Sequence, residues 1–312
     1  MYDIKVITVS GKKQLFDFMK GNSDMIQYSI PGIVGHLKFN LNFVKMMKTA
    51  PELFRDDVSI DSIYGNFPDC IMNGGRTIVG IPYSYDQISE MFDQIEEEGL
   101  SIRLTFTNML IRPEQFEDEY SNMILKAAQG RNAWVIVYSD ELGDYISSRY
   151  HIKRILSTSR LLSGVEELNL MLERYDMVVL DYTHNKDHAF LKQVRDPSRL
   201  EVMPNELCQN YCSVRQEHYK NESLSQLTHK KASFICPGKC FGSGYTLQTD
   251  KSIHLLSNDN IRDLNNRYGI KHFKIVGRKL SANLYLETFA YYFAKSECQS
   301  IIWKITRPWT LM

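Results

Sequence analysis

The sequence lacks features that define several whole classes of protein. No stretch approaches the roughly 18 uninterrupted apolar residues of a membrane-spanning helix. Six cysteines among 312 residues are too few for a disulfide-stabilised scaffold. The first residues, MYDIKVITVSGKK, lack the basic segment and the long apolar core of a secretory signal. We therefore predict a cytoplasmic protein without a membrane span, whose cysteines are reduced, metal-bound or buried.

An excess of charge of either sign is also absent. The 37 basic and 37 acidic side chains cancel, so the overall charge favours neither nucleic acid nor anionic lipid. A hydrophobic content of 43% and a charged content of 24% are typical of a globular protein with a large core. The composition neither supports nor excludes an RNA substrate.

From about residue 58 onward, short apolar runs alternate with longer segments of helical periodicity. This rhythm predicts βα units and a largely parallel sheet. The predicted strands are Ser59–Tyr64, Thr77–Ile81, Ile102–Phe106, Trp134–Tyr138, Arg154–Thr158, Met177–Asp181, Leu200–Met203 and Phe273–Val276. The predicted helices are Tyr85–Glu98, Pro113–Gln129, Glu141–Ser148, Ser159–Arg174, Asn185–Val194 and Asn260–Tyr268.

Eight such units match the size of a (β/α)8 barrel, and runs such as WVIVY and MVVLDY suit strands that are covered on both faces. We therefore predict an α/β fold, a TIM-barrel-like single domain over residues 1–312, in preference to a doubly wound sheet. The first 50 or so residues fit the repeat less well. There, IKVITVS has the pattern of a strand and Leu37–Thr49 that of a helix, and they supply either a barrel strand or a cap.

The connection that follows the seventh predicted strand, residues 204–271, is far longer than an ordinary βα loop. In a barrel this insert leaves the carboxyl end of its strand, which is the face where catalytic groups of such folds collect. It carries four cysteines in two C-x3-C pairs, Cys208 with Cys212 and Cys236 with Cys240. The insert is therefore a candidate metal site.

Four thiolates are soft ligands, and in a reducing compartment they select zinc or an iron–sulfur cluster. Structural zinc more often uses the tighter C-x2-C spacing, so the wider spacing favours a [4Fe-4S] cluster bound by Cys208, Cys212, Cys236 and Cys240. Zinc and simple buried thiols remain the alternatives. Cys70 is a further candidate ligand, although a small buried side chain is its simpler interpretation.

Other candidate site residues lie near the insert or at the ends of predicted strands. His218 follows the first cysteine pair and could bind a metal, move protons or cap a loop; we interpret it as a candidate proton carrier. Arg215 could bind a carboxylate or phosphate, or pair with Glu206 or Glu217 on the surface. Asp181, which follows the run MVVL, is the best candidate carboxylate for orienting a substrate. The polar residues at predicted strand ends are Asn108, Asp140, Asp181, Tyr182, Asn205 and Glu206.

Near the C-terminus, the run Phe273-Lys-Ile-Val-Gly-Arg278 predicts a strand that ends at a glycine, followed by a helix from Ser281. Arg278 then stands close to a helix start, where a guanidinium and backbone donors together bind anions. An ion pair with neighbouring carboxylates is the alternative for this arginine. We interpret Arg278 as a candidate substrate contact.

The run Gly269 to Arg278, followed by a helix bearing Tyr285, together with the four cysteines of the insert, resembles the U32 peptidase-like family over roughly residues 175–297. The resemblance implies a TIM-barrel-like protein. Several members of that family bind a [4Fe-4S] cluster and support oxygen-independent hydroxylation of ubiquinone precursors or RNA bases, and others are collagenase-like peptidases. The cysteine spacing here departs from that of the better-known members.

Proteolysis has little independent support, because the sequence has no Gly-x-Ser-x-Gly elbow and no His-Glu-x-x-His helix. The first hypothesis is therefore an iron–sulfur barrel enzyme that carries out a hydroxylation-type or related redox modification of a small molecule or an RNA base. A protein partner or electron donor would accompany it. The second hypothesis is a barrel in which structural zinc folds the insert and which acts as a binding module or partner subunit.

Overall fold

The computed structural model describes residues 25–75, 78–206, 208, 211–231, 233–235, 255–277 and 280–311. Eight parallel strands form a closed barrel in chain order, in which each strand pairs with the next and the eighth pairs with the first. The strands are β1 Ile26–Pro31, β2 Val58–Gly65, β3 Ser101–Phe106, β4 Ala133–Val137, β5 Lys153–Leu156, β6 Met177–Val179, β7 Leu200–Val202 and β8 His272–Lys274. The predicted (β/α)8 TIM-barrel fold is confirmed.

Helices connect these strands in the alternation that the sequence predicts. In the described part of the chain they are α1 Leu37–Thr49, α2 Tyr85–Glu97, α3 Glu119–Ala128, α4 Asp140–Tyr150, α5 Val165–Arg174, α6 His188–Leu191, α7 Arg215–Leu227, α8 Asn258–Tyr268, α9 Ala282–Phe293 and α10 Gln299–Thr306. None of the helices described is long and apolar enough to cross a membrane.

Local sequence explains where several helices begin. Ser84 starts α2 with a reciprocal capping box, in which its hydroxyl accepts from the backbone N–H of Gln87. The apolar stripe of this helix, Ile88, Phe92 and Ile95, is fully buried, as the helical spacing predicts. Ser281 is the N-cap of α9, at the predicted helix start.

The eight predicted strands include one error and omit one strand. Thr77–Ile81 was expected to be a strand, but residues 78–81 form none and Thr77 lies outside the described residues. The N–H and carbonyl of Ile78 pair with the side-chain amide of Gln226 at 2.8 and 3.0 Å, instead of with a neighbouring strand. The strand missing from the prediction is β1, which the N-terminal region supplies. The predicted strand IKVITVS lies outside the described residues.

Three predicted helices are shorter than expected because local caps interrupt them. Asp118 starts α3 by accepting from the backbone N–H of Ser121 at 2.8 Å, so Pro113–Gln115 forms a separate short 3-10 helix. Leu161 takes the left-handed conformation with φ of 57°, which ends a 3-10 turn before α5 begins. The segment predicted as Asn185–Val194 contains only α6, at His188–Leu191.

The barrel interior contains an ionic network as well as apolar side chains. Arg103 on β3 bonds to Asp61 at 2.9 Å and to Glu201 on β7, which is fully buried. Lys274 on β8 lies 4.0 Å from the same glutamate. Burying such charges without partners would cost several kcal/mol, so the network keeps these groups compatible with the interior of the barrel.

Candidate functional site

A pocket of about 180 Å³ opens at the carboxyl ends of the barrel strands. Strand residues line its floor, residues that directly follow the strands line its walls, and residues of the insert cover one side. The lining residues are Tyr64, Gly75, Thr105, Thr107, Ile136, Ser157, Thr158, Ser159, Met203, Glu206, Cys208, Arg215, His218, Tyr219, Lys274, Val276, Gly277 and Leu280. This is the end of the barrel at which active sites of the fold are found.

Helix α7 of the insert spans the barrel mouth from one rim to the other. Arg215 at its start bonds to residues that follow β5 and β6, while Gln226 near its end bonds to Ile78, beyond β2. Between them, the Ser223 hydroxyl accepts from the backbone N–H of Met109 at 3.1 Å. The buried side of α7 is polar throughout and consists of Arg215, Glu222, Ser223, Ser225 and Gln226. The helix is therefore fixed over the mouth by hydrogen bonds and an ion pair.

The guanidinium of Arg215 organises one wall of the pocket. It donates to Asp181 at 2.7 Å and to the Thr158 hydroxyl at 3.1 Å, and it lies 4.2 Å from the ring centroid of Tyr182. Burial lowers the pKa of Arg215, but the neighbouring Tyr219 and Asp181 raise it by more. The net pKa is therefore above its ordinary value. Arg215 is therefore a permanent cation in the wall.

Asp181 lies at the barrel mouth, as its position after β6 predicts. One carboxylate oxygen accepts from Arg215, and the other accepts from the backbone N–H and the hydroxyl of Thr183 at 3.0 and 2.8 Å. The carboxylate is thus bonded within the protein and holds Arg215 in place. Its role in orienting a substrate stays a prediction.

His218 on α7 is half-buried and lines the pocket. Its Nε2 lies 3.4 Å from a carboxylate oxygen of Glu222 one turn later, and its ring stacks on Phe234 at 5.1 Å between centroids. Glu222 is only 2% exposed. A carboxylate at one ring nitrogen orients the imidazole and leaves the other nitrogen for proton transfer, which suits the predicted proton carrier.

Two of the four insert cysteines, Cys208 and Cys212, lie among the described residues, and neither forms a disulfide there. Cys208 lines the pocket and is hydrogen-bonded to Tyr182. Burial raises the pKa of Tyr182; Arg215 lowers this pKa in part, and the Cys208 thiol raises it. The backbone N–H of Cys208 donates to Glu206 at 3.0 Å. Cys212 is half-buried just before α7.

The predicted ligands Cys236 and Cys240 lie outside the described residues, so the structure describes two of the four predicted ligands. In the described ranges no three side chains of histidine, cysteine, aspartate or glutamate come together as a metal site. The donor chemistry of Cys208 and Cys212 suits a soft metal, since both are reduced thiols and both lie shortly before α7.

Cys70 is a core residue rather than part of the pocket wall. It is fully buried, its sulfur lies 3.4 Å from the hydroxyl of Ser121 on α3, and burial raises its pKa to about 11. These contacts match the simpler interpretation of Cys70 as a small buried side chain. Cys298, beyond α9, is a half-buried free thiol.

Arg278 lies outside the described residues, but its strand supplies a site residue that the sequence did not single out. Lys274 lines the pocket, with its ammonium 4.3 Å from the ring centroid of Tyr64 and 4.0 Å from Glu201. Strand alternation gives the signal that could have found it, because Phe273 and Ile275 are buried in the outer core and Lys274 therefore faces the barrel interior.

The other polar residues at strand ends have diverse roles. Glu206 lines the pocket. The side-chain amide of Asn205 donates to the backbone carbonyl of Val276 and accepts from its N–H, both at 2.8 Å. The side chain of Asn108 donates to the backbone carbonyls of Ile71 and Ser223. Asp140 instead pairs with Arg160 and Arg174 away from the pocket. Thr105, Thr107 and Ser157–Ser159 also line the pocket, and no pattern in the sequence singled them out.

The closed parallel barrel, with a polar pocket at its carboxyl-end mouth, places the chain among (β/α)8 barrel proteins. Its fold is similar to that of the U32 peptidase Mk0906, with a TM-score of 0.51 and 12% sequence identity over 83% of this chain and 95% of that one. The predicted resemblance is thus confirmed at the level of the fold, which is all that such an identity shows. No protein-family model and no curated protein matches the chain.

Proposed function

We propose that this protein is a barrel enzyme that binds its substrate in the mouth pocket and carries a [4Fe-4S] cluster on Cys208, Cys212, Cys236 and Cys240. The observation that carries the proposal is the position of Cys208, which lines the same pocket as Arg215, His218 and Lys274. A cluster ligand at that position lies beside the bound substrate. The similarity in fold to a U32 peptidase supports the part of the proposal that concerns a barrel enzyme.

The position of Cys208 also favours a redox centre over structural zinc. Structural zinc sites are closed and fold the segment that holds them, whereas the first cysteine of this set borders a cavity. The start of α7 is moreover fixed to the barrel by the Arg215–Asp181 pair, which requires no metal. When bound, a cluster supplies electron transfer to the substrate in a hydroxylation-type or related redox reaction.

The residues of the pocket have separate tasks in this proposal. Arg215, held by Asp181, and Arg278 orient the substrate through its oxygen atoms, and Tyr64 and Met203 provide apolar surface. His218, held by Glu222, moves a proton to or from the reacting group. Helix α7 covers the mouth and limits the access of water to the substrate.

The test is the content of iron, zinc and acid-labile sulfide, with a visible absorption spectrum, in full-length protein purified without oxygen. About four iron and four sulfide per chain, with broad visible absorption, are expected for a [4Fe-4S] protein. The variant Cys208→Ser/Cys240→Ser should lose both the metal and the colour. The matched control Cys298→Ser, which alters a half-buried thiol beyond α9, should keep them.

The alternative outcomes decide between the remaining hypotheses. One zinc per chain without sulfide identifies a structural site, with the barrel as a binding module or partner subunit, and the cysteine variant should then lose stability together with its zinc. Protein without metal, from both the wild type and a reconstitution with iron and sulfide, overturns both hypotheses. A cluster-bearing protein would next be tested for an electron donor and for small-molecule and RNA substrates.

A further inference from the structure

Two side chains of the mouth pocket, Arg215 and Thr107, have hydrogen-bond donors that acceptors in the described part of the chain do not satisfy. Arg215 is 6% exposed and has five N–H donors. Among the described residues, one donor binds Asp181, one binds the Thr158 hydroxyl and one binds the Tyr219 hydroxyl. Two N–H groups of a nearly buried guanidinium therefore remain for a molecule in the pocket.

Thr107, which follows β3, provides a second donor of this kind. The residue is 6% exposed and lines the pocket, and its hydroxyl oxygen is buried without a hydrogen-bond partner in the described part of the chain. Buried polar groups in native proteins almost always have partners. An unpartnered hydroxyl beside a cavity indicates a ligand that supplies an acceptor.

Lys274 adds a second cation on the pocket floor. It is 8% exposed, and its ammonium lies 4.0 Å from Glu201, which also pairs with Arg103. Among the described lining residues, Arg215 and Lys274 each have a carboxylate neighbour, Asp181 and Glu201, that does not line the cavity. Such an arrangement holds positively charged donors in fixed positions and directs them towards the space between them.

Carboxylates are few among the described residues of the pocket wall. Glu206 is the one that lines the cavity there, and one of its oxygens already accepts the backbone N–H of Cys208 at 3.0 Å. The remaining surface includes the apolar side chains of Ile136, Met203 and Val276. The cavity therefore complements a small molecule that combines an apolar body with a group rich in acceptors.

We propose that the pocket binds a small organic anion, whose carboxylate or phosphate group is held by Arg215, Lys274 and the Thr107 hydroxyl. This inference deepens the proposed function, since it rests on the pocket named there, but it requires no metal. Carboxylate and phosphate share the chemistry that these donors recognise, because both present several negatively charged oxygens in one group.

The test uses three aromatic probes of similar size: phenylacetate, phenyl phosphate and phenylacetamide. The last is a neutral counterpart of the first. Each is titrated by calorimetry into full-length protein purified without oxygen, and the metal content of the same samples is measured. At least one anion should bind at one site per chain about 10-fold more tightly than phenylacetamide, as expected for a charge-assisted interaction. The preferred anion identifies the group.

Two variants locate the binding. Lys274→Met should weaken the preferred anion about 10-fold, and Thr107→Val should weaken it several-fold. Because the Thr107 hydroxyl has no protein partner in the described part of the chain, Thr107→Val should keep the thermal stability of the free protein, which separates lost binding from lost folding. The exposed controls Lys126→Met and Thr49→Val should bind like the wild type.

Equal affinity for the anions and phenylacetamide would overturn the inference, and so would anion binding that both pocket variants leave unchanged. The outcome is separable from that of the proposed function. Anion binding by protein without iron would leave this inference standing and remove the redox proposal. Iron-loaded protein that does not prefer the anions would overturn this inference and leave the redox proposal standing.

Discussion

The carboxylate of Asp181 and the guanidinium of Arg215 lie 2.7 Å apart at the barrel mouth, and both side chains are less than 10% exposed. The pair joins the end of β6 to the start of α7, so it connects the barrel to the insert. One partner without the other would be an uncompensated charge in a mostly buried place.

Removal of one partner of this pair should destabilise the protein strongly. We expect Asp181→Asn to lower the free energy of unfolding by about 3 kcal/mol, measured by urea denaturation. The double variant Asp181→Asn/Arg215→Met should lose less, because no unpaired charge remains. Glu117→Gln, which removes one partner of the exposed pair with Arg149, should change stability by less than about 1 kcal/mol. Equal losses at the two sites would contradict this account.

His272 should make the stability of the barrel sensitive to acid. Burial is the main cause that lowers its pKa below the ordinary 6.5, and Arg103 lowers it further against the opposite effect of Asp61. The folded state therefore binds a proton less readily than the unfolded state. The contribution of His272 to stability is fully present above about pH 6.5, the pKa of the unfolded state. It falls as the pH is lowered through that value towards the folded-state pKa. In His272→Gln the free energy of unfolding should decrease less between pH 7.5 and pH 5; an unchanged decrease would show that His272 is not the group responsible.

Gln226 should control the local stability of the rim segment around Ile78. Its amide forms two bonds with the backbone of that residue, at 2.8 and 3.0 Å. In Gln226→Ala these backbone groups lose their partners, so amide hydrogen exchange at Ile78 should accelerate by about 10-fold or more. The half-buried residue Gln94 on α2, whose side chain bonds to Glu90 on the same helix, offers the control Gln94→Ala. Unaltered exchange at Ile78 would show that other contacts hold the segment.

Cys70 should be inert towards alkylation and dispensable for metal binding. Its thiol is fully buried, and its pKa of about 11 keeps it protonated at neutral pH. We expect iodoacetamide at pH 8 to leave Cys70 unmodified in the folded protein, as mass spectrometry of peptides can show. Cys70→Ala should cost about 1 kcal/mol of stability and keep the metal content of the wild type. Loss of metal from this variant would make Cys70 a ligand after all.

The sequence predicts the barrel because strand rhythm and helix periodicity are local properties, as seven of the eight observed strands show. It predicts the insert and its place after β7 for the same reason. The error at Thr77–Ile81 has a different origin. The apolar pattern there is that of a strand, but its backbone partner is a side chain almost 150 residues later, which no local pattern reveals.

The candidate site was predictable only in part. Asp181 and His218 stand out by their positions near strand ends and cysteines, and both lie at the mouth. The environment of Lys274 and the missing partner of Thr107 among the described residues depend on contacts between strands that are distant in sequence. The bond between Asp181 and Arg215 likewise depends on the path of α7 across the mouth, which only the assembled barrel defines.

The closing contact of the barrel has a consequence for the order of folding. Gln27 on β1 pairs with His272 on β8. One edge of the first strand therefore stays unpaired until a segment near the opposite end of the chain has folded onto it. During synthesis, β1 is available long before its second neighbour exists. Contacts of such high sequence separation slow folding and leave strand edges open to pairing with other chains. The nascent protein should therefore depend on the timely arrival of β8, and C-terminal truncation before this strand should yield aggregation rather than a smaller barrel.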